Sequence, residues 1–312
     1  MPAVSAARPL DHFSREDWAR LTRVSRWRGL AMVFHAWAVV ALAAALAVWS
    51  GQWWAWLLAI VVIGGRQLGI AILMHEAAHG LLHPDRRLNN FLGQWVTGAA
   101  VGADLKAYRS YHLTHHRFTQ QPEDPDLPLS APFPTSRASM ARKVLRDLSG
   151  LTFLKQRGAQ LAMAVGAGLG RGGAGANVFV ARAFARFLAV QAMLLALSLA
   201  SGLGPWPFLI WLIALATTFP LFLRIRNIAE HGCTATGSGD PFSHARTTHA
   251  GWIERATVAP YWVNFHSEHH LFMGIPAYRL AEAHRLLVAG GNTARMTIAP
   301  GYWSVLRQAT AR

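Results

Sequence analysis

The stretch WWAWLLAIVVIGGRQLGIAILMHEAAH, from Trp53 to His79, decides the reading of the chain. From Trp53 to Met74 it carries one charge, Arg66, and is long enough to cross a hydrocarbon layer of about 30 Å. It then runs straight into His75-Glu-Ala-Ala-His79. Residues four apart lie on one helical face, about one turn from each other. A membrane helix that ends in two stacked imidazoles points to a metal held where the helix leaves the bilayer.

Two more clusters repeat the pattern, His112-Leu-Thr-His115-His116 and His266-Ser-Glu-His269-His270. Together with His75 and His79 these imidazoles exceed the three or four ligands that one zinc takes. They suit two ions, and imidazole suits Zn, Cu, Fe and Ni, of which iron is the redox-active candidate. The first cluster alone fits the HExxH of zinc proteases, with Glu76 as general base. That reading leaves the other two clusters without a task. A ninth ligand, His231, follows in Arg226-Asn-Ile-Ala-Glu-His231, and Asn227 lies one turn before it, placed to hydrogen-bond a metal-bound water. Glu76, Glu230, Glu268, Asp124 and Asp126 are expected to orient ligand rings. Glu123 is expected to be a solvated loop charge. His83 falls beyond the expected helix end, between Gly80 and Pro84. His12, His244, His249 and His284 have no clustered partner and are expected at the surface. His35 is expected as a packed, hydrogen-bonded polar group, and Arg66 as the partner of an acidic group or an anionic headgroup.

The chain has 312 residues, of which 53% are hydrophobic and 14% charged, against about 25% charged in soluble domains. Four segments suit a bilayer, at about 30–50, 53–74, 184–203 and 206–223, and form two hairpins. The expected fold is therefore an all-α integral membrane protein of two transmembrane hairpins, capped by a helical region that holds the metal site. The divisions are a basic segment at 1–29, a membrane domain at 30–290 and a tail at 291–312. Neither hairpin tip is charged, whereas Arg15, Arg20, Arg23, Arg26 and Arg28 precede the first span and Arg224 and Arg226 follow the fourth. The positive-inside rule puts both termini and all the clusters in the cytoplasm; in a bacterium the membrane would be the inner one. The formal charge of +15 fits anionic lipid better than nucleic acid. The polar, charged first 29 residues predict no cleavable signal peptide. Residues 88–108 are expected as a helix lying in or dipping into the interface, 120–134 as loop, and 137–176 as an interfacial helix and a flexible link. Gly168-Leu-Gly-Arg-Gly-Gly173 spells GxGxxG, but no strand precedes it and a link is the better reading. The single Cys233 excludes a cysteine-ligated iron–sulfur cluster.

Tyr111-His-Leu-Thr-His-His116, Pro122-Glu-Asp-Pro-Asp126 and Asn264-Phe-His-Ser-Glu-His-His-Leu-Phe272 resemble the membrane fatty acid desaturase superfamily over about residues 30–290. The resemblance implies a dinuclear iron centre, O₂ as co-substrate and two external electrons. The ninth histidine and a nearby asparagine of some acyl desaturases match His231 and Asn227. The expected activity is desaturation of a long-chain fatty acyl lipid. The alternative is a hydroxylase or ketolase of a carotenoid or similar apolar lipid. No His-Pro-Gly-Gly haem motif is present, so a separate ferredoxin or cytochrome-type donor is expected, drawn to Arg137, Arg142, Lys143 and Arg146.

Overall fold

A computed structural model of the protein describes residues 4, 6–168 and 174–311. Four of its helices are long and apolar enough to cross a membrane, Arg28–Ser50, Trp53–His79, Val178–Ala200 and Trp206–His231. The first two form a hairpin that turns at Gly51, whose φ of 64° a side chain would strain. The second span is the most buried of the four. Its Gly64 and Gly65 explain why: a Cβ at Gly64 would lie 2.1 Å from Thr218 Oγ1, and one at Gly65 2.2 Å from the Ala256 carbonyl oxygen. Bare backbone lets the fourth span and the loop before the third cluster settle directly onto the helix. Polar side chains link the spans, as is common in apolar surroundings. Gln67 donates to the Trp211 carbonyl at 2.8 Å, Trp211 Nε1 donates to Gln191 Oε1 at 2.9 Å, and Gln191 donates to the Ala100 carbonyl at 3.0 Å. Phe34, Leu42, Leu46 and Trp49 of the first span point outward, as lipid-facing residues do.

The fourth span is one hydrophobic run in sequence but two helices, Trp206–Ala216 and Thr218–His231. Pro220 has no N–H for the Ala216 carbonyl and its ring crowds that turn, so the helix breaks at Thr217. The break turns the second half, with His231 at its end, onto the helices of the other clusters.

The single interfacial helix expected over 88–108 is a broken element instead. Asp85 caps Arg86–Phe91, a π-helix follows at Leu92–Gly98, and Ala99–Val101 ends at Gly102, φ 79°. The Thr97 hydroxyl donates to the Leu92 and Gly93 carbonyls, which suits the wider π turn. Trp37 Nε1 donates to the Val96 carbonyl at 3.1 Å, fixing this element against the first span. Asp104 then caps Leu105–Phe118 and pairs with Arg186 at 2.5 Å. The expected loop over 120–134 contains a short helix, Leu127–Ser130. Beyond it, Arg137–Leu148 and Leu151–Gly168 are helical, and residues 169–173 of the glycine-rich stretch lie outside the described residues. Within this mostly helical fold, Arg246–Thr248 and Thr297–Ala299 form a parallel two-stranded ribbon. The final helix, Tyr302–Ala309, packs Tyr302, Val305 and Ala309 against Phe222 and Ile228 of the fourth span.

Candidate metal centre

Each of the nine candidate ligands stands on a helix. His75 and His79 occupy the last turn of the second span, which stops at Gly80, φ 78°. His112, His115 and His116 lie on the Asp104-capped helix. His231 is the last residue of the helix Thr218–His231, and His266, His269 and His270 sit on the six-residue helix His266–Leu271. His83 falls past the helix end, where its Nδ1 accepts from the Asp85 N–H, as the glycine and proline around it predict.

The nine imidazoles sort into two nests. His75, His79, His112, His116 and His269 form one, and His115, His231, His266 and His270 form the other; in each, the candidate ligand atoms lie within 4.8 Å of one another. The second and third clusters are therefore split between the nests. In the first nest, Nε2 of His75 lies 2.9 Å from Nε2 of His269, and Nε2 of His116 lies 2.9 and 3.0 Å from those of His112 and His269. In the second, His266 Nε2 is 2.9 Å from His231 Nε2 and 3.1 Å from His270 Nε2, and His115 Nε2 is 3.2 and 3.3 Å from those of His231 and His270. Neighbouring nitrogens on one octahedral ion with bonds of about 2.1 Å are about 3.0 Å apart. Hydrogen bonds do not account for this packing. Each neutral imidazole has one donor and one acceptor nitrogen, and three or four Nε2 atoms meeting at a point cannot all pair. His79 Nε2 is buried with no hydrogen-bond partner among the described residues. Burial, and then the neighbouring imidazoles or Arg226, push His112, His116, His266, His269 and His270 well below the ordinary histidine range. They are neutral at pH 7 and free to donate a lone pair to a metal. The donor set fits two metal ions.

Around the nests, the Nδ1 atoms of His115 and His231 meet acceptors that fix ring orientation, whereas those of His75, His116, His266 and His269 are buried without a hydrogen-bond partner among the described residues. His115 Nδ1 lies 2.8 Å from buried Asp124, and His231 Nδ1 lies 3.0 Å from the His244 carbonyl. His266 Nδ1 is 3.3 Å from Glu230, which also holds Arg226 at 2.6 Å. Tyr108 stacks on His112 with ring centroids 5.2 Å apart. Asp126 is 3.7 Å from His115 Nδ1 and takes the Tyr111 hydroxyl as a close partner.

Several expectations need correction. Glu268 touches no candidate ligand ring; it accepts from Thr247 at 2.5 Å and faces His284 Nδ1 at 2.6 Å, tying the third cluster to the ribbon and the helix Ala277–Ala289. Glu76 accepts the Ala277 N–H at 2.8 Å, with His75 Nδ1 more distant at 3.5 Å. His244 is buried, not superficial, and its ring faces the Ser238 carbonyl at 2.6 Å. His284 and His12 are half-buried, His12 facing Asn292 at 3.0 Å, whereas His249 and Glu123 are exposed as expected. Arg66 has no acidic partner among the described residues: its Nη2 donates to the carbonyls of Arg255 and Ala256 at 2.9 and 3.0 Å. His35 is exposed, its Nδ1 3.0 Å from the Tyr261 hydroxyl. Asn227 belongs to neither nest. It lines a cavity of about 20 Å³, room for about one water, together with His112, His115, His231 and His266. The partners that sequence missed, the His244 carbonyl and the Tyr108 ring, carry no local signal: one acts through its backbone, the other looks like an apolar helix residue.

A family model of fatty acid desaturases matches residues 51–299, a span that contains all nine histidines. The dihydrorhizobitoxine desaturase of Bradyrhizobium elkanii is 26% identical over 301 residues, covering 93% of this chain and 84% of that protein. Family membership implies diiron oxidation chemistry with a substrate and an electron donor, and the two nests are built to hold such metals. With most of its length matched, this chain belongs to the fatty acid desaturase family.

Proposed function

We propose that this protein is an O₂-dependent desaturase of a long-chain fatty acyl lipid, working at two iron ions. One would be held by His75, His79, His112, His116 and His269. The other would be held by His115, His231, His266 and His270, with Asn227 reaching it through a water. The observation that carries the reading is the convergence of nine imidazoles into two adjacent nests at the end of four apolar helices. Bound iron would supply the reduction of O₂ and the removal of hydrogen from an unactivated C–H bond. The chain's own residues do the rest. Asp124 and the His244 carbonyl hold the rings of His115 and His231 in place. The surrounding packing limits the access of bulk water to the nests, in which six of the nine imidazoles are buried and His79, His116 and His270 are half-buried.

The membrane setting and the charges support a cytoplasmic site. Both hairpin tips lack charge, and the basic residues crowd the end that holds the histidines. The exposed Arg137, Arg142 and Arg146, with Lys143, form no ion pair among the described residues and suit an acidic electron donor. A second reading comes from the relative, whose name gives dihydrorhizobitoxine as its substrate, not a fatty acyl lipid; a similar non-lipid substrate would use the same centre. Metal analysis of detergent-purified protein is expected to find about two iron per chain. Lipid profiling of a deletion strain is expected to show loss of an unsaturated acyl chain. An unchanged acyl profile with iron present would move the substrate to the second reading, and zinc at one equivalent without iron would refute the diiron assignment.

A further inference from the structure

Arg66 is buried in the second span, with no carboxylate beside it among the described residues. Burying an unpaired cation in an apolar layer is costly, so such a residue marks a cavity or a ligand. The cavity is there. About 370 Å³ opens between the first two spans and the loop before the third cluster, lined by Arg66, Arg255, His35, Tyr261 and Trp262 and by no acidic residue. The acid nearest in sequence, Glu254, turns away to accept the Gly251 N–H at 3.0 Å.

The polar wall is constructed, not incidental. Tyr261 and Trp262 both hold left-handed backbone, φ 52° and 59°, which bulky side chains rarely adopt and which collects at functional positions. The Tyr261 ring fits only because residue 69 is glycine; a Cβ there would lie 2.8 Å from the ring. The Tyr261 hydroxyl donates to the Met32 carbonyl at 3.0 Å, so its single proton is spent and His35 Nδ1, 3.0 Å away, must be the donor to it. Arg66 uses one nitrogen on the Arg255 and Ala256 carbonyls and lies over the Tyr261 ring at 5.6 Å. The Tyr261 hydroxyl is also a hydrogen-bond partner of the guanidinium, whose remaining donors meet no carboxylate among the described residues.

The depth of the pocket and its rim define the ligand. Arg66 is thirteen residues from Trp53, about 20 Å along the helix from the hairpin tip. In a hydrocarbon layer of about 30 Å this lies toward the histidine end. Phe34, Trp252 and Ile253, neighbours in sequence of the lining residues, are exposed and give the pocket an apolar rim. Resting on the membrane setting proposed above but not on the identity of the substrate, we propose that this pocket binds the oxyanion of an acyl-bearing amphiphile. The group is a phosphate or carboxylate, held between Arg66 and Arg255 with its chain along the apolar rim.

The test measures binding without turnover. Purified protein is reconstituted into vesicles of phosphatidylcholine alone or with phosphatidylglycerol, extracted, and weighed intact with its retained lipid by native mass spectrometry. A second arm offers palmitate. Wild type is expected to retain the anionic amphiphile over phosphatidylcholine, and Arg255→Gln, at an exposed position, to lower that retention roughly tenfold. Arg66→Gln is expected to do the same, and Arg285→Gln, outside the pocket, to change nothing. Arginine-dependent retention of phosphatidylglycerol identifies a membrane lipid as the source, and arginine-dependent retention of palmitate a carboxylate amphiphile. No preference for either anion in wild type, or retention unmoved by Arg255→Gln and Arg66→Gln, overturns the proposal. Iron content is measured on the same samples, so a failed metal assignment is separable from a failed pocket.

Discussion

A histidine in this chain matters by where its Nε2 points, and substitutions separate the classes. His75→Ala, His112→Ala, His116→Ala, His231→Ala and His270→Ala are each expected to abolish turnover and to lower bound iron, because each takes a nitrogen out of a nest. Normal lipid products from any of them would remove that residue from the ligand set. Asp124→Asn keeps the shape but weakens the acceptor for His115 Nδ1, with an expected loss on the order of 10–100-fold in metal affinity or activity. Asn227→Ala falls in the same range, since water can occupy its place. His249→Ala, at an exposed ring, is expected to behave as wild type. The neutral rings also set a pH dependence. Burial lowers His112, His116, His266, His269 and His270 in the folded protein, whereas the unfolded chain takes up protons near pH 6.5. The unfolded state then binds more protons below that pH, so the stability of metal-free protein is complete above about 6.5 and falls as the pH drops below it. Thermal unfolding of chelator-treated protein between pH 7.5 and 5.5 checks the sign; a melting temperature that rises on acidification would contradict it.

Helical elements were legible from sequence where their cause is local. Apolar runs of spanning length, uncharged tips and imidazoles three or four residues apart are short-range patterns, and they located the four spans and eight of the nine histidines. His231 was found by its place just past a span. What stayed hidden is set by contacts between distant segments. The π turn at Leu92–Gly98 depends on Thr97 and on the first span, and the burial of His284 depends on Glu268, sixteen residues earlier. The break at Thr217 was within reach, because Pro220 is visible in the run, but hydropathy averages over it. Glycines show the same divide. Gly65→Ala would push a methyl into the Ala256 carbonyl and is expected to cost about 1–3 kcal/mol, lowering the melting temperature by a few degrees. Gly158→Ala, in an exposed helix with open space at its Cβ, is expected to stabilise by about 0.5–1 kcal/mol. Equal effects from the two changes would mean that the loop does not sit on the second span as described.

At the scale of the whole molecule, all candidate ligands lie at one end of the spans, and the tips at Gly51–Gln52 and Ser201–Gly204 lie at the other. The second span alone is 27 residues, about 40 Å at 1.5 Å per residue, longer than a hydrocarbon layer of about 30 Å. Its last turns therefore carry His75 and His79 to the membrane surface when the Trp53 end sits at the opposite boundary. An electron donor that cannot cross the membrane must then approach from the histidine side, and the basic helix Arg137–Leu148 belongs to that side of the chain. Single cysteines test the arrangement in a Cys233→Ser background, which removes the natural thiol. Gln52→Cys at the exposed tip and Ala311→Cys at the exposed end of the final helical segment mark opposite faces. A membrane-impermeant maleimide is expected to label Ala311→Cys in inverted bacterial membrane vesicles and Gln52→Cys in intact spheroplasts, with little labelling in the reverse pairing. Labelling of both positions from the same side would break the hairpin arrangement. Labelling in the opposite sense would keep the hairpins but place the metal nests, and the donor, outside the cytoplasm.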